Sequence, residues 1–213
     1  MNELLAWIRA HPGLLERTAS EHLTLAGTAL AADIAIGLAL GIAVAGRPRA
    51  AGPVVGIVNA LRTVPSIALL VLMLPVLGTG FAPSVVALAL YGLPAILVNT
   101  TVGLEGVDPE IVEAARGQGL AERQVLWLVV LPLALPLILA GIRTSAVQIV
   151  SAATLAVFIG GGGLGELISA GLGLLDFPQL LIGAIAVALL ALVTELAFAL
   201  LQRLATGGKA AAA

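Results

Sequence analysis

The side chains equipped for chemistry are few, and they fall into three groups. His11 and His22 both stand near the N-terminus of a chain that has no cysteine. Two isolated histidines make neither a metal set nor a nucleophile–base pair, and both read as hydrogen-bonding surface residues at a membrane interface. The second group lies within long apolar stretches. Thr144, Gln148 and Ser151, with Ser145 beside them, recur at helical spacing, and Asn59, Arg62, Thr63 and Ser66 surround Pro65. Such dipoles suit the passage of a polar solute along a wetted strip, or hydrogen bonds between helices; both readings stay open. Three charges, Asp33, Arg143 and Glu195, also fall in apolar stretches, where a structural ion pair is the expected use.

The third group is a continuous polar segment. Between Gly103 and Gln124 stand Glu105, Asp108, Glu110, Glu113, Arg116, Glu122 and Arg123, with long apolar runs on both sides. A charge in hydrocarbon costs roughly 2.5 to 3.5 kcal/mol on insertion scales, so this segment must lie outside it. Its local signals are clear. Asp108 is a good N-cap, Pro109 suits the first helical position, and Glu110 falls where the helix dipole favours an acid. A short helix then carries Glu113, Ala114 and Ala115, and Gly117 or Gly119 ends it in the left-handed conformation. A second short helix is expected over Ala121 to Leu128, stopping near Leu131 because Pro132 disfavours helical geometry in the residue before it.

These groups need a scaffold, and composition says which kind. The chain has 213 residues, 60% hydrophobic and 10% charged, too apolar to cover a soluble surface. A net charge of −2 gives no case for nucleic acid. Five segments can span a bilayer: about Leu23 to Ala45, Val54 to Leu77, Val85 to Val102, Leu133 to Ile159 and Leu180 to Leu201. The expected class is therefore an all-α polytopic membrane protein of about five transmembrane helices. Gly37 and Gly41 in the first span offer a small face for close helix contact. The second span is interrupted at Val64-Pro65-Ser66 and the third contains Pro94, so both should pack against protein.

The remaining pieces are flanks and turns. Residues 1–22 read as an external interfacial piece, in which Asn2 to Arg17 forms an amphipathic helix with Trp7 and Ile8 dipping into the interface. The transmembrane domain covers 23–205, with its polar loop at 104–131, and a disordered tail follows at 206–213. Gly160, Gly162 and Gly165 formally spell G-x-G-x-x-G, but without a preceding strand this is no nucleotide site. It reads as a turn into a short helix over about Leu164 to Ala170, ended by Gly171 and Gly173. Arg47 and Arg49 follow the first span, Arg116 and Arg123 the third, and Arg203 and Lys209 the fifth. By the positive-inside rule the N-terminus is outside, the C-terminus is cytoplasmic, and the polar loop faces the cytoplasm.

The spacing Glu113-Ala114-Ala115, three residues, Gly119, nine residues, then Val129-Val130-Leu131-Pro132 resembles the EAA signature of permease subunits of binding-protein-dependent ABC importers. Val129 takes the place of that pattern's isoleucine. Thr63 to Leu70, Asn99-Thr100, Val107-Asp108-Pro109, Leu131 to Pro136, Gly141 to Thr144, Ala153 to Ala156 and the glycine run are similar to the osmoprotectant branch, over residues 55 to 175. The resemblance implies a MetI-like bundle that moves glycine betaine, carnitine, choline or related quaternary amines by alternating access. It implies ABC ATPase subunits, a second permease subunit and an external solute-binding protein as partners, all at a prokaryotic cell membrane. Glu113, Ala114, Ala115, Gly119, Leu131 and Pro132 would form the ATPase-coupling loop, and Thr63, Ser66, Thr144, Gln148 and Ser151 would line the path. The chain contains no G-x-x-x-x-G-K-[ST], so ATP hydrolysis belongs to the partner and the chain itself is a non-catalytic subunit without cofactor or metal. A permease for methionine or another amino acid is the nearest alternative, and a channel or secondary carrier the next, which the coupling spacing disfavours.

Overall fold

The computed structural model describes residues 2–207, and these are helical almost throughout, with no strand among them. In order they form α1 (Asn2–Ala10), α2 (Pro12–Val44), α3 (Pro48–Ala60), α4 (Ser66–Leu77), α5 (Phe81–Glu105), α6 (Pro109–Gly117), α7 (Glu122–Val125), α8 (Leu131–Ala152), α9 (Gly165–Leu174) and α10 (Phe177–Ala205). The tail expected to be disordered lies, from residue 208 onward, outside the described residues.

Three helices make the centre. α2 and α5 run parallel, and the glycines of α2 set their separation. A Cβ on Gly37 would lie 2.8 Å from Ile96 Cγ2, and one on Gly41 2.7 Å from Thr100 Cβ. This is the close contact that the spacing of Gly37 and Gly41 predicts, and it brings backbones together where no hydrophobic force between helices operates. α8 runs antiparallel on the same face of α5, with Gly141 against the Ala95 carbonyl and Gly103 against the Ala134 carbonyl. Leu25, Leu70, Leu88 and Ile149 fill one half of the interior, and Ile96, Leu104, Ile138 and Ile142 the other. α10 packs along α8 and α9.

The parallel pairing of α2 and α5 fixes the route between them. The chain must return from the Val44 end of the bundle to the Phe81 end, and α3 with α4 carries it there. They are one span bent by 101° at the break before Ser66, so the bundle crosses five times when the bent pair is counted once. Pro65 cannot donate to an interior helix bond and holds Val64 extended, at φ −83° and ψ 123°. Pro94, by contrast, sits within an unbroken and buried α5, packed against protein as expected.

Several expectations need correction. The interfacial helix over Asn2 to Arg17 is two helices, broken at His11, because Pro12 starts α2 at its first position and carries the first span far beyond Leu23. Trp7 does not enter an interface; it is buried against Leu164, Leu167 and Ile182 and stacks on the His11 ring. His22 is not a surface residue. It is fully buried and donates from Nε2 to the Val150 carbonyl at 2.9 Å. The helix over Ala121 to Leu128 does not stop at Leu131. Residues Glu122–Ile159 form one 38-residue run, in which Leu126–Val130 is a π turn with Leu131 N donating to Leu126 O. The wider turn accommodates Pro132, whose ring and missing N–H would disrupt an ordinary α-helical turn. α9 continues past Gly171 to Leu174 and is capped by Leu175 in the left-handed conformation. Gly171 instead admits α10, since a Cβ there would lie 2.5 Å from Leu180 N.

Candidate functional site

At one end of the bundle the polar segment folds into a compact hook. Asp108 caps α6 as its sequence predicts, its Oδ1 accepting from Glu110 N at 2.8 Å. Gly119 turns the chain at φ +85°, and Ala121 N then donates to Gln124 Oε1 at 2.9 Å at the start of α7. Arg116 ties the two sides together. It donates to Glu113 at 2.7 Å and, through two nitrogens, to Glu122 at 2.8 and 3.1 Å. Hydrogen bonding to this guanidinium holds the Glu122 carboxyl below its ordinary range, while Glu122 and then Glu113 push the guanidinium up. The hook is therefore a turn whose two sides are joined by named side-chain hydrogen bonds.

The two alanines of the segment divide their roles. Glu113 and Ala114 are exposed, whereas Ala115 is buried and its carbonyl accepts from Leu120 N. Only Ala114 is free to meet another surface, with Ile111 exposed one turn before it. Leu131, half-buried, and the exposed Pro132 stand farther on, where the π turn passes into α8. A groove of about 380 Å³ lies behind the hook, lined by Val102, Gly106, Asp108, Ile111, Leu133 and Leu137 among others; nothing in the sequence spacing points to it.

Near the middle of the bundle the polar strip of α8 splits. Ser145 faces inward and donates to Asp33 Oδ2 of α2. Gly92 of α5 lies against both, because a Cβ there would come within 2.4 Å of each oxygen. Asp33 is fully buried, and its Oδ1 is among the buried oxygens without a hydrogen-bond partner. One turn on, Gln148 and Ser151 face a different way. With Ser66 at the start of α4 and Tyr91 of α5 they line a cavity of about 320 Å³, completed by Val147, Ala152 and Leu155. Of the five expected path residues, three are thus gathered at the broken span. Thr63 and Thr144 are not; each is exposed and donates its hydroxyl back to its own helix, to Ala60 O at 2.7 Å and Ala140 O at 2.9 Å. Tyr91 is the residue that sequence reading left out.

The charges in the apolar segments resolve into two arrangements. Arg143 pairs with Glu195, Nε donating to Oε1 at 2.8 Å and a second nitrogen to the same oxygen, which is the expected structural pair. Asp33 takes Ser145 instead. At the end opposite the hook, Arg17 joins Glu21 at 2.8 Å and Glu166 at 2.7 Å over the glycine run. Glu21 Oε2 also accepts from Gly163 N at 3.2 Å. The run is a turn into a short helix, as expected, and it also lies against α2; beside it is a cavity of about 420 Å³ lined by Ser20, Thr24 and Phe81 as well as these carboxylates. Among the described residues no cluster of His, Asp or Glu is placed to hold a metal ion.

Residues 35–206 match the family described as binding-protein-dependent transport system inner membrane component. The chain is 38% identical over 206 residues to the glycine betaine/carnitine/choline transport system permease protein of Bacillus subtilis, covering 97% of this chain and 95% of that one. It is 42% identical over 182 residues to the carnitine transport permease protein of Listeria monocytogenes, covering 85% and 84%. Among solved structures, an inward-facing MetNI methionine ABC transporter chain superposes with a TM-score of 0.79 at 24% identity, covering 91% of this chain and 96% of that one. That likeness speaks for the fold, a MetI-like bundle.

Proposed function

Since the chain belongs to the binding-protein-dependent transport system inner membrane components, multi-pass proteins of the inner membrane, we propose that it is the permease subunit of an ATP-driven importer for compatible solutes of the glycine betaine, carnitine and choline type. What carries the substrate class is the near full-length likeness to permeases that bear those names. The chain works with ABC ATPase subunits, a second permease subunit and an external solute-binding protein. Its N-terminus is external and its C-terminus cytoplasmic, on the strength of Arg47, Arg49, Arg116, Arg123 and Arg203 at one end of the bundle.

In this reading α6 is the coupling helix. Glu113 and Ala114 meet the ATPase, Ala115 seats the helix on its own bundle, and Gly119 with the Arg116 clamp keeps the hook rigid enough to transmit force. Leu131 and Pro132 begin the long helix that receives the motion. That helix is continuous from Glu122 to Ile159, with the π turn at Leu126–Val130 inside it, so a displacement at the hook reaches Gln148 and Ser151 along one element. Ser66, Gln148 and Ser151 line the path at the cavity, with Thr63 and Thr144 at its margins. The cavity offers dipoles and no charge, which suits transit better than retention.

Reconstitution in liposomes with the ATPase and binding protein tests the reading. Uptake of glycine betaine, carnitine or choline, with ATPase activity that rises with solute, is the expected result. Uptake of methionine or another amino acid in its place would move the chain to the amino-acid branch. Transport that proceeds without ATP would overturn the importer itself.

A further inference from the structure

This chain has seven aromatic residues, spread over different segments, and the fold sends nearly all of them elsewhere. Trp7 is buried near α9, Trp127 is exposed beside the hook, Phe198 packs against the half of the core built from Ile96, Leu104, Ile138 and Ile142, and Phe81, Phe158 and Phe177 are exposed. Tyr91, half-buried against the core, is the aromatic residue that lines the cavity at the break of the second span, together with Ser66, Gln148 and Ser151. Its direction is set by its neighbour. Gly92 is pressed against Asp33 and Ser145, which fixes the rotation of α5, and the next position round the helix is thereby turned toward the cavity.

We propose that Tyr91 is a specificity-determining residue of the permease, whose ring face receives the quaternary ammonium group as the solute passes Ser66, Gln148 and Ser151. The inference rests on the reading of the chain as a quaternary-amine permease. The chemistry is selective because a trimethylammonium group has no N–H to donate. The hydroxyls of Ser66 and Ser151 and the amide of Gln148 therefore gain no hydrogen bond from it, whereas the negative face of an aromatic ring attracts it directly. No charged side chain lines the cavity among the described residues, so nothing there competes with the ring for the cation or traps it. A volume of about 320 Å³ stands at the small end of ligand sites, roughly 300 to 1,000 Å³, as a solute of few heavy atoms requires. One ring without a counter-charge gives a weak and reversible stop, suited to a conduit.

The test is a saturation-transfer NMR titration of the permease with its ATPase subunits in nanodiscs. Tetramethylammonium is the probe and uncharged 3,3-dimethyl-1-butanol the control. Wild type is expected to bind tetramethylammonium in the millimolar range, Tyr91→Phe to match it within about twofold, and Tyr91→Leu to weaken it about tenfold. The control ligand should not distinguish the three. Equal binding by Tyr91→Leu and wild type, equal loss in Tyr91→Phe and Tyr91→Leu, or no measurable binding by wild type would each overturn the proposal. Should Tyr91→Leu fail to insert, the single tyrosine permits another route. Only the permease is produced with 3,5-difluorotyrosine, which weakens the ring's quadrupole at nearly constant shape; the fluorines also acidify the phenol, so the titration is run at a pH that keeps it protonated. A roughly threefold loss of affinity is then expected, and unchanged affinity rejects the proposal. Wild-type uptake in liposomes separates the two levels: uptake of betaine with a neutral Tyr91→Leu removes this inference alone, whereas no uptake of any quaternary amine removes the functional reading beneath it.

Discussion

Gly119 shows what a single backbone angle asks of a side chain. At φ +85° most L-residues pay roughly 1–2 kcal/mol, asparagine and aspartate less, although nothing lies within 4 Å of a Cβ placed there. Strain rather than collision is the effect of an alanine, confined to the hook, and an aspartate places a negative charge on the exposed turn beside the proposed docking face. Gly119→Asp is expected to leave the protein inserted at normal abundance while abolishing transport and ATPase stimulation, and Gly119→Ala to reduce both. Normal transport by Gly119→Asp at normal abundance would remove the coupling role. A second residue-scale prediction concerns Arg143 and Glu195. Glu195→Ala leaves an unpaired guanidinium between α8 and α10 and should lower the thermal midpoint of the purified protein more than the double change Arg143→Leu with Glu195→Leu, because an apolar pair needs no partner. A double change as damaging as the single would sink that account. The sequence made Asp108, Gly119 and the use of Arg143 legible, since caps, turns and lone intramembrane charges follow local rules. It did not make the Asp33–Ser145 bond legible, because those residues are 112 positions apart and only packing joins them.

Helix by helix, the apolar runs foretell the spans because the bilayer imposes length on each one separately. What they do not foretell is how one span passes into the next. The bend at Pro65, the extension of α2 back to Pro12, and the continuous passage from α7 to α8 each turn on how the backbone arranges its local hydrogen bonds around a proline. The meeting of α2, α5 and α8 at Gly92 gives this scale its prediction. A methyl group there would come within 2.4 Å of Asp33 Oδ2 and Ser145 Oγ; overpacking of a fitted core costs typically 1–3 kcal/mol. Gly92→Ala should therefore lower the thermal midpoint and the yield of folded protein, while Gly56→Ala, with nothing within 4 Å of its Cβ, should leave both unchanged. Equal behaviour of the two variants in a fluorescence-detected melting assay would show that α2, α5 and α8 are not held together at this level. The same rigidity matters for transport, because Tyr91 and Gln148 face the cavity from helices fastened at Gly92.

Across the whole molecule, the five crossings give the bundle two ends. The packing alone sets the grouping. α2 and α5 are parallel and α8 is antiparallel to them, so Glu21, Phe81, Gly162 and Glu166 gather at one end, with the hook and the start of α8 at the other. The bent pair counts as one crossing of five, so α1 and the end of α10 lie on opposite sides. The proposed orientation takes the side from arginine, since Arg47, Arg49, Arg116, Arg123 and Arg203 all stand at the hook's end. Arg9 and Arg17 oppose them, but Arg17 is engaged by Glu21 and Glu166 at 2.8 and 2.7 Å, which offsets its charge where it stands. The absence of native cysteine makes the test clean. Gly173 is exposed in α9 with open space around it. Gly173→Cys should react with a membrane-impermeant maleimide added to intact cells, and Gln118→Cys should react only after the membrane is opened. The reverse pattern would invert the protein, place the hook outside, and leave it with no ATPase to meet.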